Sequence, residues 1–464
     1  DEEVELGPDN VVRTANGPWK LSIPFDAPLY SPGGRFTVGV WCNDICISDG
    51  TKMSGELEIV RLAAIPGEET PPAVTVARQK GGKLGIAIDG KPYPVLWGGL
   101  APRTRPDRLP RFGDAPLTVV SIHGQQYWQW HPRLGVYDFS YLDREAEKYR
   151  RANPDAKFIW NFMIFPPGDF AQKYPEDMEA DDLGDRTPVG RPCWSFASKR
   201  ALAELQEMAD RVIRHIEASP YGNRTIGYRF SSGVGVEWLG WDAKPGRVKG
   251  FSDLNKRAYA DYAAKFCPQL ADPHVPDLAE REDMDAPNDI LWDQKKHLNA
   301  VTYMDYNSAI VVDDLLAVCG QAKDTLKALG RQKLVGTFYG YCCFINAGGA
   351  EQYRGHLAVK KFIDENRGRV DFVCSPQSYH QRYLGDTCGD MKPFASLEDA
   401  GVMTFLEDDT RTFNNPYPNW DTYCDACTEK QSVAEVQRNA AIQLCRLMAP
   451  YFYALVSGCE YDTP

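Results

Sequence analysis

Eight short apolar segments, each of a length to make one buried strand, constrain this chain more than any other feature. They are PVLWGG near residue 94, LTVVSIHG near 117, KFIWNFMI near 157, TIGYRFSSG near 225, KLVGTFYGY near 333, VDFVCSP near 370, VMTFLEDD near 402 and ALVSGCEYD near 454. Continuous apolar runs of this kind fit strands covered on both faces. Between them, FSYLDREAEKYRRAN, SKRALAELQEMADRVIRHIEA, DYNSAIVVDDLLAVCGQAKDTLKAL, HLAVKKFIDENRG and SVAEVQRNAAIQLCRLMA place apolar residues at three- and four-residue intervals, the period of a helix with one buried stripe. Strands alternating with helices imply a parallel sheet, and eight units predict a (β/α)8 TIM barrel. A doubly wound open sheet is the alternative, but it needs a Gly-rich phosphate-binding turn that is absent, and an insertion at about 241–300 fits a barrel's βα loop. The last strand lies almost at residue 464 with no helix after it, so either a longer natural chain or incomplete barrel closure is expected.

Ahead of the barrel, residues 1 to about 80 read as short alternating segments (WKLSIPF, RFTVGVWC, SGELEIVRL) separated by Gly, Pro and Asn turns, the pattern of a small antiparallel β-sandwich. The Pro-rich stretch IPGEETPPAV is expected to be a linker, and LGIAIDGKPYP a hairpin turning at Asp89-Gly90. The expected organisation is therefore an ancillary sandwich over 1–80 and a barrel over 81–464.

A formal charge of −12, with no concentrated basic segment, excludes a nucleic-acid partner. No run of about 18 apolar residues is present, so no membrane span is expected. The start, Asp1-Glu2-Glu3-Val4, has no signal-peptide pattern but also no initiator Met, which leaves both secreted or periplasmic and cytoplasmic locations open. Most of the thirteen Cys, including Cys319, Cys374 and Cys445, stand in apolar stretches as small hydrophobes. Two close pairs, Cys42/Cys46 and Cys424/Cys427, lack a partner pair at zinc-ribbon distance, so no metal site and no cofactor is expected.

In a barrel, acidic residues matter most where a strand runs out at its C-terminal end. Glu237 follows the fourth strand in SSGVGVEWLGW, beside Trp238 and Trp241, which offer surfaces for a sugar ring; Glu407 ends the seventh in VMTFLEDDTRT. Cleavage of a glycosidic bond needs one carboxyl group to protonate the leaving oxygen and one carboxylate to attack, and this pair can supply both. Apolar neighbours are expected to raise Glu237 as an acid, and Arg411 to keep Glu407 ionised as a nucleophile. Any single Glu among 64 acidic residues is more simply a solvated or ion-paired residue; two at independently placed strand ends are not. Asn161 at the end of the third strand, Arg229 within the fourth, Tyr339 ending the fifth, Tyr379 and His380 after the sixth, and His123 after the second are candidate substrate contacts. Arg229 has an equal claim as a barrel-interior ion-pair partner. Tyr127, Trp128 and Trp130 are a candidate sugar platform or simply core. His356, at a helix start, is read as structural.

Several of these segments resemble the β-galactosidases of glycoside hydrolase family 42 and their retaining relatives. HGQQYWQWHPRLGVYDFSYLDREAEKY resembles the family's W-x-x-x-(E/H)-P-x-x-G-x-Y-D-F-x-x-L-D stretch. RVIRHIEASPYGNRTIGYRFSSGVGVEWLGW is similar to its acid/base segment, and GHLAVKKFIDENRGRVDFVCSPQSYHQR with VMTFLEDDTRT to its sixth-strand and nucleophile segments, so the likeness runs over roughly 85–464. The resemblance implies Glu237 as acid/base, Glu407 as nucleophile, Tyr379 near the nucleophile, an oligosaccharide or polysaccharide substrate, and a homo-oligomer. One departure is Val236, where relatives place an Asn that contacts the sugar 2-hydroxyl; it favours a substrate with a modified or differently oriented 2-position. The family's metal-binding Cys cluster is not matched. A barrel that binds glycan without turnover and an inverting hydrolase remain as alternatives, whereas a nucleotide-dependent oxidoreductase lacks its glycine fingerprint.

Overall fold

The computed structural model describes residues 70–100, 117–125, 136–186, 193–233, 237–241, 246–284, 295–343, 355–379, 381–413, 428–446 and 448–454, with short stretches elsewhere. The chain divides into two compact units, Asp1–Ala63 and Ala64–Pro464. In the first, Val11–Val12 pairs with Lys20–Leu21, Gly34–Thr37 with Ser54–Leu57, and Trp41–Cys42 with Ile45–Cys46, all antiparallel.

The second unit is a closed barrel of eight parallel strands, the (β/α)8 architecture. We number them β1 (Trp97–Leu100), β2 (Val119–Gln125), β3 (Lys157–Met163), β4 (Thr225–Ser231), β5 (Leu334–Phe338), β6 (Phe372–Pro376), β7 (Met403–Asp408) and β8 (Tyr451–Ala454). All eight expected strands are present. The last begins a few residues earlier than its apolar run implied, and it closes the sheet against β1, with Trp97 opposite Tyr451 and Leu100 opposite Ala454. Incomplete closure is thereby corrected: Tyr451–Tyr453, ahead of the run, supply the ladder.

The helices used below are α1 (Ser140–Ala152), α2 (Lys199–Ala218), α3 (Asp253–Phe266), α4 (Leu278–Met284), α5 (Leu298–Ala328), α6 (Val359–Asn366), α7 (Phe394–Asp399) and α8 (Glu429–Cys445). Ser198, Ser252 and Thr428 cap α2, α3 and α8, each side-chain oxygen accepting from a backbone N–H that has no partner inside its helix. Helices α3 and α4 lie in the insertion after β4, and α3 with α5 carries an apolar cluster of Tyr259, Tyr303 and Tyr306.

Ahead of β1, Val74–Arg78, Leu84–Ile88 and Lys91–Pro92 form a three-stranded sheet. Its hairpin turns at Asp89 (φ 51°) and Gly90 (φ 75°), two successive left-handed residues, as the Asp-Gly pair requires. Val74 donates its backbone N–H to the Gln332 carbonyl, which ties this sheet to the chain entering β5.

Inside the barrel, Trp97 stacks on Tyr451 at 4.0 Å and meets Phe372 and Phe405 edge-on. Val119, Ile159, Ile226 and Leu334 complete this layer at the strands' N-terminal ends, all but excluded from water. Each such side chain contributes roughly 1.5–3 kcal/mol by leaving water, so the lower barrel is the stabilising floor on which the upper layer rests. Among the described cysteines Cys319 and Cys374 are buried as expected, but Cys445, on the outer side of α8, is exposed. Cys424 and Cys427 lie outside the described residues, as do the side chains of Cys42 and Cys46. No helix among the described residues is long and apolar enough to cross a membrane.

Candidate active site

A cavity of about 280 Å³ opens at the C-terminal ends of the strands. His123 on β2, Asn161 on β3 and Arg229 on β4 are register partners, and because they occupy one level of the ladder their side chains share its inner face. All three line the cavity together with Glu237, Tyr379, Glu407, Asp409 and Tyr453. Glu237 and Glu407 thus reach one space from opposite sides of the ladder.

Glu407 is the next-to-last residue of β7 and is 5% exposed. An Arg229 guanidinium nitrogen lies 3.6 Å from Oε2, an ion-pair rather than hydrogen-bond distance. Burial pushes the Glu407 carboxyl up to about 7; the charge of Arg229 opposes that rise, the charge of Asp409 adds to it, and a hydrogen bond from Tyr451 offsets part of it. The expectation that Arg411 holds Glu407 ionised is corrected here. Arg411 donates to Asp409 Oδ2 at 2.8 Å instead, and Arg382 pairs with the other oxygen of the same carboxylate. Burial raises Asp409, but those two guanidinium groups outweigh it and hold the carboxyl below its usual range. Arg411 does not line the cavity. It acts one residue further along, on Asp409.

Arg229 is fully buried, with its guanidinium over Phe338 at 4.0 Å and one nitrogen 3.1 Å from the Tyr451 hydroxyl. It sits between the Trp97 layer and the cavity, so the two readings of this residue coincide: it is an interior ion-pair partner and a cavity wall. His123 is 3.3 Å from the Asn161 amide, and burial, followed by the charge of Arg229, lowers its imidazole to about 3. It is therefore neutral at physiological pH, an orienting group with no proton to transfer there.

Glu237 follows β4 by six residues and is positioned by the turn it opens. Trp238 adopts a left-handed backbone (φ 59°), donates its backbone N–H to the Ser232 carbonyl at 2.7 Å, and sends its indole N–H to the Phe230 carbonyl at 3.1 Å. A left-handed non-glycine residue costs on the order of 1 kcal/mol or more, which the fully buried indole offsets by packing. Gly233 (φ 76°) makes the return possible, since a Cβ there would meet the Leu239 carbonyl oxygen at 2.3 Å. Trp238, expected to stack on sugar, instead pins the acid-bearing turn from below and contributes nothing to the cavity wall. Trp241 is likewise turned away, giving its indole N–H to the Trp194 carbonyl at 2.7 Å.

Tyr341, in the helical turn Tyr341–Cys343 after β5, donates its phenol to Glu237 Oε1 at 3.1 Å. Its own position is fixed by His356, whose Nδ1 accepts the Tyr341 backbone N–H at 3.2 Å. His356 is thus structural, as expected, but its task is to hold the residue that holds Glu237. Tyr339, expected at the site, is fully buried against Phe362 and His356 and is not among the residues lining the cavity. Tyr379 does line it, with its hydroxyl 3.4 Å from Asp409 and Arg382 over its ring. His380, Tyr127, Trp128 and Val236 lie outside the described residues, as does the Trp130 side chain.

Asp409, Tyr341, Tyr453 and Arg382 were not singled out from the sequence. Asp409 had a signal, being two residues beyond Glu407 and hence on the same side of an extended chain; Tyr341 had none, because its partner is 104 residues away. Among the described residues no group of three or more His, Cys, Asp or Glu is arranged to hold a metal ion.

No family model and no curated protein matches this sequence. Solved structures do match. The catalytic domain of a β-amylase from Paenibacillus polymyxa superposes with a TM-score of 0.57 at 11% identity, over 78% of this chain and 92% of that one. A β-galactosidase from Marinomonas ef1 gives 0.48 at 13% identity over 77% of this chain, and one from Bacillus circulans gives 0.48 at 13% over 79%. This chain spans 53% and 52% of the length of those two β-galactosidases. At that identity the likeness to the β-amylase domain shows a shared (β/α)8 barrel and no more. What the barrel does has to be argued from its own site.

Proposed function

We propose that this protein is a retaining glycoside hydrolase acting on β-glycosidic bonds of the galactoside type or a related glycan. The observation that carries the reading is that two glutamates, one beyond β4 and one near the end of β7, face a single cavity among hydrogen-bonding groups suited to sugar hydroxyls. In the first step the Glu407 carboxylate attacks the anomeric carbon while Glu237 gives its proton to the leaving oxygen. In the second, Glu237 takes a proton from water, which attacks the same carbon and releases Glu407. Arg229 and Tyr451 stabilise the Glu407 carboxylate between turnovers. Tyr341 holds Glu237 in place through both steps and supports its carboxylate once the proton has left. His123, Asn161 and Asp409 supply donors and acceptors for hydroxyl groups.

Family 42-like specificity is part of this proposal, modified by Val236: without the usual Asn, selection at the sugar 2-position rests on other groups. The same departure favours a second reading, a barrel that binds glycan without turning it over. Wild type, Glu237→Ala and Glu407→Ala are compared on aryl β-galactoside, β-glucoside, β-mannoside and β-fucoside and on algal and host oligosaccharides. Turnover of one substrate, lost in both variants and returned as a glycosyl azide when azide is added to Glu237→Ala, is the expected outcome. Glycan binding by wild type with no turnover of any substrate selects the second reading. Full activity in either variant contradicts both assignments.

A further inference from the structure

Among the described residues, four tyrosines lie within electrostatic reach of the two glutamates, and three of them have their hydroxyls committed. Tyr341 donates to Glu237 Oε1, Tyr379 donates to Asp409 at 3.4 Å, and Tyr451 accepts from Arg229 at 3.1 Å. The fourth, Tyr453 on β8, is only 8% exposed and lines the catalytic cavity, yet its hydroxyl has no hydrogen-bond partner among the described residues. Buried phenols ordinarily have one. Phenylalanine fills the same space without leaving a polar group unpaired, so the hydroxyl here adds nothing to the packing of the free protein.

The ring is nonetheless held in a fixed place. Tyr453 lies two residues beyond Tyr451 and therefore on the same, inner face of β8. Its register partner on β1 is Gly99, where a Cβ would come within 3.0 Å of the Tyr453 ring, so the ring occupies room that the glycine leaves. His123 closes on it from β2, with ring centroids 5.4 Å apart. Burial first, and then the charge of Glu407, raises the phenol above its ordinary value; Arg229 opposes that rise, and Asp409 and Glu237 add to it. The hydroxyl therefore keeps its proton through the neutral range and is available to the cavity as a donor.

Position gives that donor a sector of its own. Among the described residues β1 contributes no lining side chain, so from Glu407 and Asp409 on β7 round to His123 on β2 the wall of the cavity is Tyr453. A sugar whose anomeric carbon lies against Glu407 either places a hydroxyl in that sector or leaves the phenol unpaired, and a site built to bond a hydroxyl discriminates strongly against a ligand that lacks it. We propose that Tyr453 is a specificity-determining residue, whose phenol donates to one hydroxyl of the sugar that Glu407 attacks and so restricts the substrates to glycosides in which that hydroxyl is present and unsubstituted. The inference deepens the hydrolase reading and rests on it for the ligand being a glycoside.

The test is a double-mutant cycle between enzyme and substrate. Wild type and Tyr453→Phe are compared on the aryl glycoside that wild type turns over best and on its monodeoxy analogues, each lacking a different sugar hydroxyl. Tyr453→Phe is expected to lower kcat/KM about tenfold on the parent glycoside and on every analogue but one. On that one, which lacks the hydroxyl the phenol contacts, variant and wild type are expected to agree within about twofold. An unchanged kcat/KM on the parent overturns the assignment, and so does an equal loss on every analogue, which is what a purely structural role produces. Because the hydroxyl has no partner in the free protein to lose, Tyr453→Phe is also expected to melt no lower than wild type. A variant that melts lower or fails to fold reveals an internal partner and overturns the assignment as well. If wild type turns over no aryl glycoside, the hydrolase reading falls, and the same cycle is read in Kd for the glycoside bound most tightly and its analogues. A loss of affinity that disappears with one hydroxyl then keeps the sugar contact, whereas binding of no glycoside overturns both.

Discussion

The two ends of the barrel are made by the same eight strands and bury opposite kinds of residue. At the N-terminal ends, Trp97, Val119, Ile159, Leu334, Phe372 and Phe405 interlock without a charged group among them. At the C-terminal ends, His123, Asn161, Arg229, Glu407 and Asp409 are almost as completely excluded from water. Burial is favourable in the first layer and costly in the second, where each charge has to find a partner. Asp409 has two guanidinium groups and stays well ionised; Glu407, with Arg229 only at 3.6 Å, does not. A fold that repairs one carboxylate and leaves its neighbour strained is spending stability at one position, and that position is the proposed nucleophile.

The largest expected effect separates the layers by function. Glu407→Gln should lower kcat/KM at least about a thousandfold, as removal of a reacting group does, with unchanged secondary structure by circular dichroism. Phe405→Ala, two residues earlier on β7, should do the reverse. It is expected to cost about 3–5 kcal/mol in urea unfolding and to leave kcat of the remaining folded enzyme within a few-fold of wild type. Equal kinetic damage from both would erase the distinction between floor and site.

The next effect concerns pH. Because the folded-state carboxyl of Glu407 titrates at about 7 rather than 4.5, the folded protein holds this proton more tightly than the unfolded chain. Stability is therefore lost as pH rises from about 4.5 to about 7, by on the order of 3 kcal/mol once the group is ionised. Glu407→Gln should accordingly raise the melting temperature at pH 8 and leave it nearly unchanged at pH 4. The same titration predicts that kcat/KM climbs as pH passes through about 7, as the nucleophile loses its proton. A pH-independent rate between 5 and 8 would show that Glu407 ionises normally. Smallest is Tyr341→Phe, which removes one hydrogen bond to a charged group and is expected to reduce kcat about tenfold with little change in KM.

The lower layer was legible because apolar runs report strands directly, and the strands in turn put Glu237 and Glu407 at the C-terminal end of the barrel, where one cavity now holds both. What the sequence concealed was which neighbour in the chain is a neighbour in space. Trp238 stands next to Glu237 and reads as a sugar platform, yet a left-handed turn sends its indole inward, and an aromatic residue serves either purpose with the same letter. Arg411 is four residues from Glu407 but turns to Asp409, while Arg229 arrives from across the barrel. Tyr341 and His356 reach Glu237 only through the closure of the barrel, a relation that no local pattern encodes.

The central claim is that Glu407 forms a covalent bond to the sugar. The most direct test is to incubate wild type with the 2-deoxy-2-fluoro glycoside of whichever sugar it turns over and to map the label by peptide mass spectrometry. The account predicts one fluoroglycosyl group per chain, on Glu407, with product released in the anomeric configuration of the substrate. Inverted product with no trapped intermediate, or a label on any other residue, would contradict it.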